Sequence, residues 1–335
     1  MRNNVEPTTI SSSIKMFLET VSLARSGSTA HTYQYALNAF ADALSDHGLR
    51  ASELMTTELP EEAIAWFTVY LKQYAPTTER LYLTAAIGYF EFLDAEHLAT
   101  PNLSRLRRLI RQRARNPGQR LPQFPRENIE LVIKYAINLA SSSVENDIDH
   151  LRNLRDRAFI LTLADTGLRV HEACSLQRGD IDWNEGKALI IGKGDRQAVV
   201  RFSGRSISAL KDYLGARSTS DGASGKPLAS LPLFARHDRG AGRKVKPMTT
   251  TTGRNIVSQR VAEILGDTFA DKITPHSFRH YFVTTVLRAS GGNLKIAQEL
   301  ARHRNIAVTQ RYAHLSDSDL DQAYYQVFDT DKSSE

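Results

Sequence analysis

The chain has 335 residues, of which 41% are hydrophobic and 24% charged, with a formal net charge of +6. This suits a globular protein of two ordinary domains; no run approaches the roughly 18 apolar residues that cross a bilayer, and Met1-Arg2-Asn3-Asn4 leads into Ser and Thr, so neither a membrane span nor a secretory signal is expected. Cys174 is the only cysteine, which rules out an internal disulfide and a cysteine zinc cage and leaves it as a small core residue.

The first hundred residues carry helical periodicity. Ile14, Phe17, Leu18 and Val21 share one helical face, and Tyr33, Leu37, Phe40, Ala41 and Leu44 share a second, with Ser28 or Thr29 expected to cap it. Ile64, Phe67, Leu71 and Tyr74 make a third stripe; Tyr82, Ala86, Tyr89, Phe90 and Leu93 make a fourth, opened by Pro76-Thr77-Thr78-Glu79. Four amphipathic helices on short connections predict a small bundle whose aromatic residues form its core.

The composition then breaks. From Asn102 to Arg126 the chain carries Arg105, Arg107, Arg108, Arg111, Arg113, Arg115, Arg120 and Arg126 with no acid, punctuated by prolines, and reads as a linker, helical at its start. A solvated face normally mixes signs, so a run of one sign points to an anionic partner such as nucleic acid. Beyond it, Ile129, Val132, Ile133, Ala136 and Leu139 predict one helix and Arg155 to Leu161 another. A hairpin is expected from Lys187–Ile191 and Gln197–Phe202, turning at Gly192-Lys193-Gly194-Asp195. The stretch from Ser218 to Gly225 reads as an exposed Gly/Ser loop, and Arg236 to Lys246 as a second basic loop.

Five segments carry the chemistry: Thr166-Gly167-Leu168-Arg169-Val170-His171-Glu172, Gly192-Lys193-Gly194-Asp195-Arg196, Thr274-Pro275-His276-Ser277-Phe278-Arg279-His280, Leu300-Ala301-Arg302-His303-Arg304-Asn305, and Thr309-Gln310-Arg311-Tyr312-Ala313-His314. With these residues the sequence resembles the tyrosine recombinase, or phage-integrase-type, family. That family's pattern is an arginine in Thr-Gly-Leu-Arg-x-x-Glu, a hairpin lysine, His-x-x-Arg, a second histidine and a tyrosine nine residues later. Arg169, Lys193, His276, Arg279, His303 and Tyr312 fill all six positions in order.

The resemblance implies a mainly α protein with a small antiparallel β-sheet. Residues 1–100 would be a helical core-binding domain, 101–126 the basic linker, 127–315 an α+β catalytic domain, and 316–335 a C-terminal helix and tail. Tyr312 would attack a DNA phosphate to give a 3′-phosphotyrosine, since phenolate both attacks and leaves well. Arg169 and Arg279 would absorb the charge on the phosphate oxygens. His303 would add a donor or orient the nucleophile, Lys193 would protonate the leaving 5′-oxygen, and His276 would take the tyrosine proton. Neither metal nor ATP is implied as a cofactor. Expected partners are double-stranded DNA bearing short inverted-repeat core sites and three further copies of the chain, as a tetramer on two sites with the C-terminal helix exchanged between subunits. A partner recombinase or accessory proteins fit the same scheme, as does a cytoplasmic, nucleoid-associated location. Expected DNA contacts are Arg105, Arg108, Arg111, Arg113, Arg115, Arg196, Arg243, Lys244, Lys246 and Arg302.

Plainer readings stand beside these. Arg169 and Arg279 could pair inside the fold with groups such as Glu172, Lys193 could be an ordinary turn residue, and His276 with His280 has the spacing of a zinc pair without the His-Glu-x-x-His glutamate. At the level of function, a type IB topoisomerase-like enzyme, a non-catalytic DNA-binding relative and a metal-dependent nuclease remain alternatives. The sequence departs from the family pattern at Arg302, where glycine is common, and its long cationic side chain is expected to point outward.

Overall fold

The computed structural model describes residues 8–115, 125–144, 146–192, 196–238, 240 and 244–310, with the side chains of residues 192 and 196 excepted. The chain divides into two compact units, Met1–Arg120 and Leu121–Glu335.

The first unit is helical, formed by α1 (Ile10–Ala24), α2 (Gly27–Ser45), α3 (Ala63–Tyr70), α4 (Pro76–Ala95) and α5 (Leu103–Arg113). The four apolar stripes meet in one core, with Phe40, Leu37, Phe67 and Tyr89 fully buried and Phe40 edge-on to Phe67 at 5.3 Å. The buried Tyr89 hydroxyl is satisfied by Ser13 Oγ at 2.6 Å. The cap of α2 is Ser26, whose side chain accepts the Thr29 N–H, rather than Ser28 or Thr29; both of those lie inside the first turn. The stretch expected as a linker is, as far as Arg113, a helix of this unit. Asn102 caps α5 and Leu106 is buried in the unit's core, an anchor that the run of arginines conceals.

The second unit contains α6 (Arg126–Asn138), α7 (Asp147–Thr166), α8 (Val170–Ser175), strands β1 (Ile181–Asp182), β2 (Lys187–Gly192) and β3 (Arg196–Arg201), then α9 (Gly204–Ala216), α10 (Ser218–Gly222), α11 (Thr250–Leu265), α12 (Asp267–Ala270), α13 (Pro275–Ala289), α14 (Leu294–Ala301) and α15 (Ile306–Gln310). The strands form one antiparallel sheet in the order β1-β2-β3, with Leu189 opposite Val199. The expected hairpin is present, joined by a two-residue third strand too short to leave an alternating pattern.

Helix α7 is the centre of this unit. Phe159, Ile160 and Leu163 are inaccessible to solvent, and Phe159 meets Phe234 edge-on at 5.1 Å. Burying one such ring contributes about 2–3 kcal/mol. Cys174 lies in the same core. The Ser218–Gly225 stretch is not the open loop that its composition suggests: its first five residues form α10, and Asp221 is buried between Arg217 Nε at 2.8 Å and Arg178 Nη1 at 2.5 Å. The Arg217–Asp221 spacing of one helical turn carries this, and a Gly/Ser count does not register it.

Candidate active site

Helix α7 ends at Gly167, which takes a left-handed conformation at φ 60°. A Cβ there would stand 2.4 Å from Phe282 Cδ1, so the turn demands glycine twice over, for its dihedral and for the approach of α13. The turn delivers Arg169 to the start of α8. There Glu172 Oε2 accepts the Arg169 backbone N–H at 2.8 Å, and Oε1 accepts Arg169 Nη1 at 2.9 Å. Glu172 is buried while the Arg169 side chain is 45% exposed. Burial alone would raise the Glu172 pKa; the Arg169 N–H and the charges of Arg302 and Arg169 outweigh it and hold this carboxyl below its usual range.

Helix α13 opens with Thr274 as N-cap and Pro275 at its first position, where the fixed φ of proline suits a helix start. His276 and Arg279 therefore lie one turn apart. Arg279 is 2% exposed; its Nη1 donates to the Gly167 carbonyl and its Nη2 to the Ala301 carbonyl. One guanidinium thus ties the Arg169 turn to the end of α14. Just past that end, His303 is buried, and its Nδ1 sits 2.9 Å from Thr309 Oγ1 on α15. If the hydroxyl donates to Nδ1, the ring hydrogen is on Nε2.

The electrostatics confirm that these groups share one field. Desolvation, then Arg279, Arg169, Arg302 and His276, push His303 down to about 4. Desolvation and the charges of Arg279 and Arg169 lower His276, although its side chain is open to solvent. His280, edge-on to His276 at 4.4 Å, is pushed to about 4 by desolvation and its two neighbours, and desolvation takes the distant His237 to about 3.

These histidines are neutral in the folded protein near pH 7. Their unfolded value is about 6.5, so below it the unfolded chain takes up protons first and stability falls as pH drops toward 4. The melting temperature of the DNA-free protein should therefore decline steadily between pH 7 and pH 5, above the range in which the lowered Glu172 carboxyl titrates. A flat or rising profile over that window would contradict the assignment.

Arg169, His276, Arg279 and His303 are therefore brought together, while Lys193 and Tyr312 lie outside the described residues. The expected DNA contacts fare unequally. Arg108, Arg111 and Arg113 are exposed on α5, whereas Arg105 is engaged by Glu61 and Glu62. Arg115 turns inward: its Nε meets the buried Glu79 at 2.5 Å and its Nη2 the Tyr74 carbonyl. Lys244 and Lys246 are exposed, Arg243 lies outside the described residues, and only the backbone of Arg196 is described.

Arg302 corrects an expectation. It does not point outward: its side chain is 10% exposed and its Nη2 donates to Glu172 Oε2 at 3.1 Å. Sequence reasoning also passed over Thr309, whose contact with His303 leaves no signal beyond its place three residues before Tyr312. Among the described residues, no three His, Cys, Asp or Glu side chains converge to hold a metal ion. No described helix is long and apolar enough to cross a membrane.

The profile of the phage integrase family matches residues 138–319, more than half of the chain. The chain belongs to the phage integrase family. Tyrosine recombinase XerC of Vibrio parahaemolyticus is 32% identical over 250 residues, 72% of this chain and 75% of that protein. Tyrosine recombinase XerC of Pediococcus pentosaceus is 27% identical over 317 residues, 94% of this chain and 97% of that one. The fold is shared with the crystal structure of XerH site-specific recombinase in a post-cleavage complex with a palindromic difH substrate, at a TM-score of 0.63 and 21% identity over 88% of this chain and 79% of that one. As a member of the phage integrase family the protein is a tyrosine site-specific recombinase, an enzyme that transfers DNA strands. Of the residues that match the family pattern in the sequence, Arg279 is hydrogen-bonded to the Gly167 turn that precedes Arg169 and to the end of α14 that precedes His303.

Proposed function

We propose that the protein exchanges strands between two short duplex sites through a covalent bond from Tyr312 to DNA. The Tyr312 oxygen attacks the scissile phosphorus while its proton passes to His276, whose pKa desolvation and the charges of Arg279 and Arg169 hold below its usual value. The bond from phosphorus to the 5′-oxygen breaks, and Lys193 protonates that oxygen. Arg169 and Arg279 neutralise the charge that grows on the non-bridging oxygens, with His303 Nε2 as a further donor. The phosphodiester energy is kept in the phosphotyrosine, so the return step, attack by a 5′-hydroxyl of the other duplex, needs neither ATP nor metal. Two such exchanges pass through a Holliday junction.

The observation that carries this reading is the position of Arg279, buried between the carbonyls of Gly167 and Ala301 and thereby joining the segments of Arg169 and His303. DNA contact is supported by the exposed Arg108, Arg111 and Arg113 on α5 and by Lys244 and Lys246. The palindromic difH substrate of the XerH complex supports inverted-repeat core sites as substrate, and the working assembly in this reading is a homotetramer on two such sites, with residues after Tyr312 linking neighbours. A cytoplasmic location on the nucleoid follows from that substrate.

The test is a plasmid carrying two copies of the candidate site, incubated with purified protein. Recombinant circles, with a protein–DNA adduct trapped when the site is pre-nicked, are the expected products. Relaxation of supercoils without exchange would favour the topoisomerase-like alternative, and binding without an adduct the non-catalytic one.

A further inference from the structure

Among the described residues only His97 and Arg302 hold a positive φ without being glycine, and Arg302 does so at 57° as the residue that closes α14. A backbone strained in this way persists only where its surroundings over-determine it. At Arg302 they do. Its Nη2 donates to Glu172 Oε2 at 3.1 Å and approaches the Gly167 carbonyl at 3.4 Å. The side chain is 90% enclosed, yet its Nε and Nη1 find no acceptor among the described residues.

Glu172 is the centre of this arrangement. Its Oε2 receives both the Arg169 N–H and Arg302, and its Oε1 receives Arg169 Nη1. Two guanidiniums share one carboxylate, so the trio carries one positive charge that none of its members cancels. With glycine at position 302, Glu172 would face Arg169 alone and the pair would be neutral. The two arginines differ in access: Arg302 is enclosed, and Arg169 is 45% exposed.

We propose that Arg302 is a positioning residue for strand transfer, holding Glu172 from the protein side so that Arg169 can turn a net positive guanidinium toward the scissile phosphate. This rests on the reading of Arg169 as a phosphate ligand. Arg302 itself does not touch DNA. It acts through the shared carboxylate, and the low dielectric around the buried Arg302–Glu172 pair strengthens its effect. The strained backbone at this corner is maintained by the same ion pair, which explains how a long side chain occupies a position where the family commonly has glycine.

The experiment measures single-turnover cleavage of a pre-nicked site, once with an ordinary scissile phosphate and once with a neutral methylphosphonate in its place. Arg302→Gly suits the left-handed backbone, so it keeps the fold; melting and gel-shift measurements on each variant accompany the kinetics. Arg302→Gly should cleave the charged site about ten-fold more slowly than wild type and the neutral site within about two-fold, because the lost cation matters only where charge must be neutralised. Arg302→Lys should recover part of the difference. A glycine variant that cleaves the phosphate site at the wild-type rate, or that loses the same factor on both substrates, overturns the proposal. Normal cleavage by Arg169→Gln would instead remove the reading of Arg169, a failure distinguishable from the first.

Discussion

Tyr312→Phe is expected to abolish the covalent protein–DNA adduct and to lower cleavage by about 10⁴-fold or more, down to the limit of detection. In the proposed mechanism the phenol oxygen is the atom that bonds to phosphorus, and phenylalanine has nothing to put in its place. Tyr281 is no substitute, because it sits in α13 and packs against the core of the second unit. DNA affinity should stay within about two-fold, since one hydroxyl is a small part of a binding surface dominated by phosphate contacts. Adduct formation on a pre-nicked site, read on a denaturing gel beside a gel shift of the same samples, separates the two effects. EDTA added to the wild-type reaction should leave the adduct intact, because the guanidiniums of Arg169 and Arg279 take the part that a divalent cation plays in a metal-dependent nuclease. An adduct that survives Tyr312→Phe, or one lost to EDTA, would falsify the assignment of nucleophile or of charge acceptor.

Arg279 should be the most sensitive of the described positions, and in two ways at once. Arg279→Met removes the donors to the Gly167 and Ala301 carbonyls. Each carbonyl left buried and unpaired costs about 1–3 kcal/mol, so a drop in melting temperature of several degrees is expected. Loss of a charge aimed at the transition state should add about 10²–10³-fold in the cleavage rate. Arg279→Lys separates the two contributions. It keeps the charge but, as a point donor, cannot span both carbonyls, so it should regain part of the rate and little of the stability. If Arg279→Met melts like wild type, the bridge between the two segments is not structural; if it cleaves like wild type, the group is not catalytic.

Much of this was legible in the sequence because the signals were local or ordered. The helical stripes of the first unit, the β2–β3 hairpin and the Thr274-Pro275 start of α13 each declare themselves within about a dozen residues. The six positions that match the family pattern are far apart in the chain, but their order and spacing survive in one dimension. What was not legible depends on three-dimensional pairing. The direction of Arg115 is set by Glu79, 36 residues earlier, and that of Arg302 by Glu172, 130 residues earlier. A one-sign run of arginines suggested contact with an anion for the whole group, whereas the fold assigns Arg105 and Arg115 to carboxylates of their own unit and leaves Arg108, Arg111 and Arg113 exposed. Asp221 and α10 show the same limit from the other side. A buried ion pair lay hidden in a stretch whose composition reads as loop.

The apolar contacts between α13 and α14 form a cluster separate from the main core, built on Val283, Leu287, Ala297 and Ala301 with Phe282, Val286 and Leu294 at its margin. Four small or medium side chains hold far less free energy than the mass of residues around Phe159. The end of α14 that precedes His303 is also tied to the Gly167 turn and to Glu172 by hydrogen bonds, those of Arg279 and Arg302. Contacts of that kind are directional and can be exchanged one at a time, so this corner can adjust to an incoming backbone while the bulk of the domain keeps its shape.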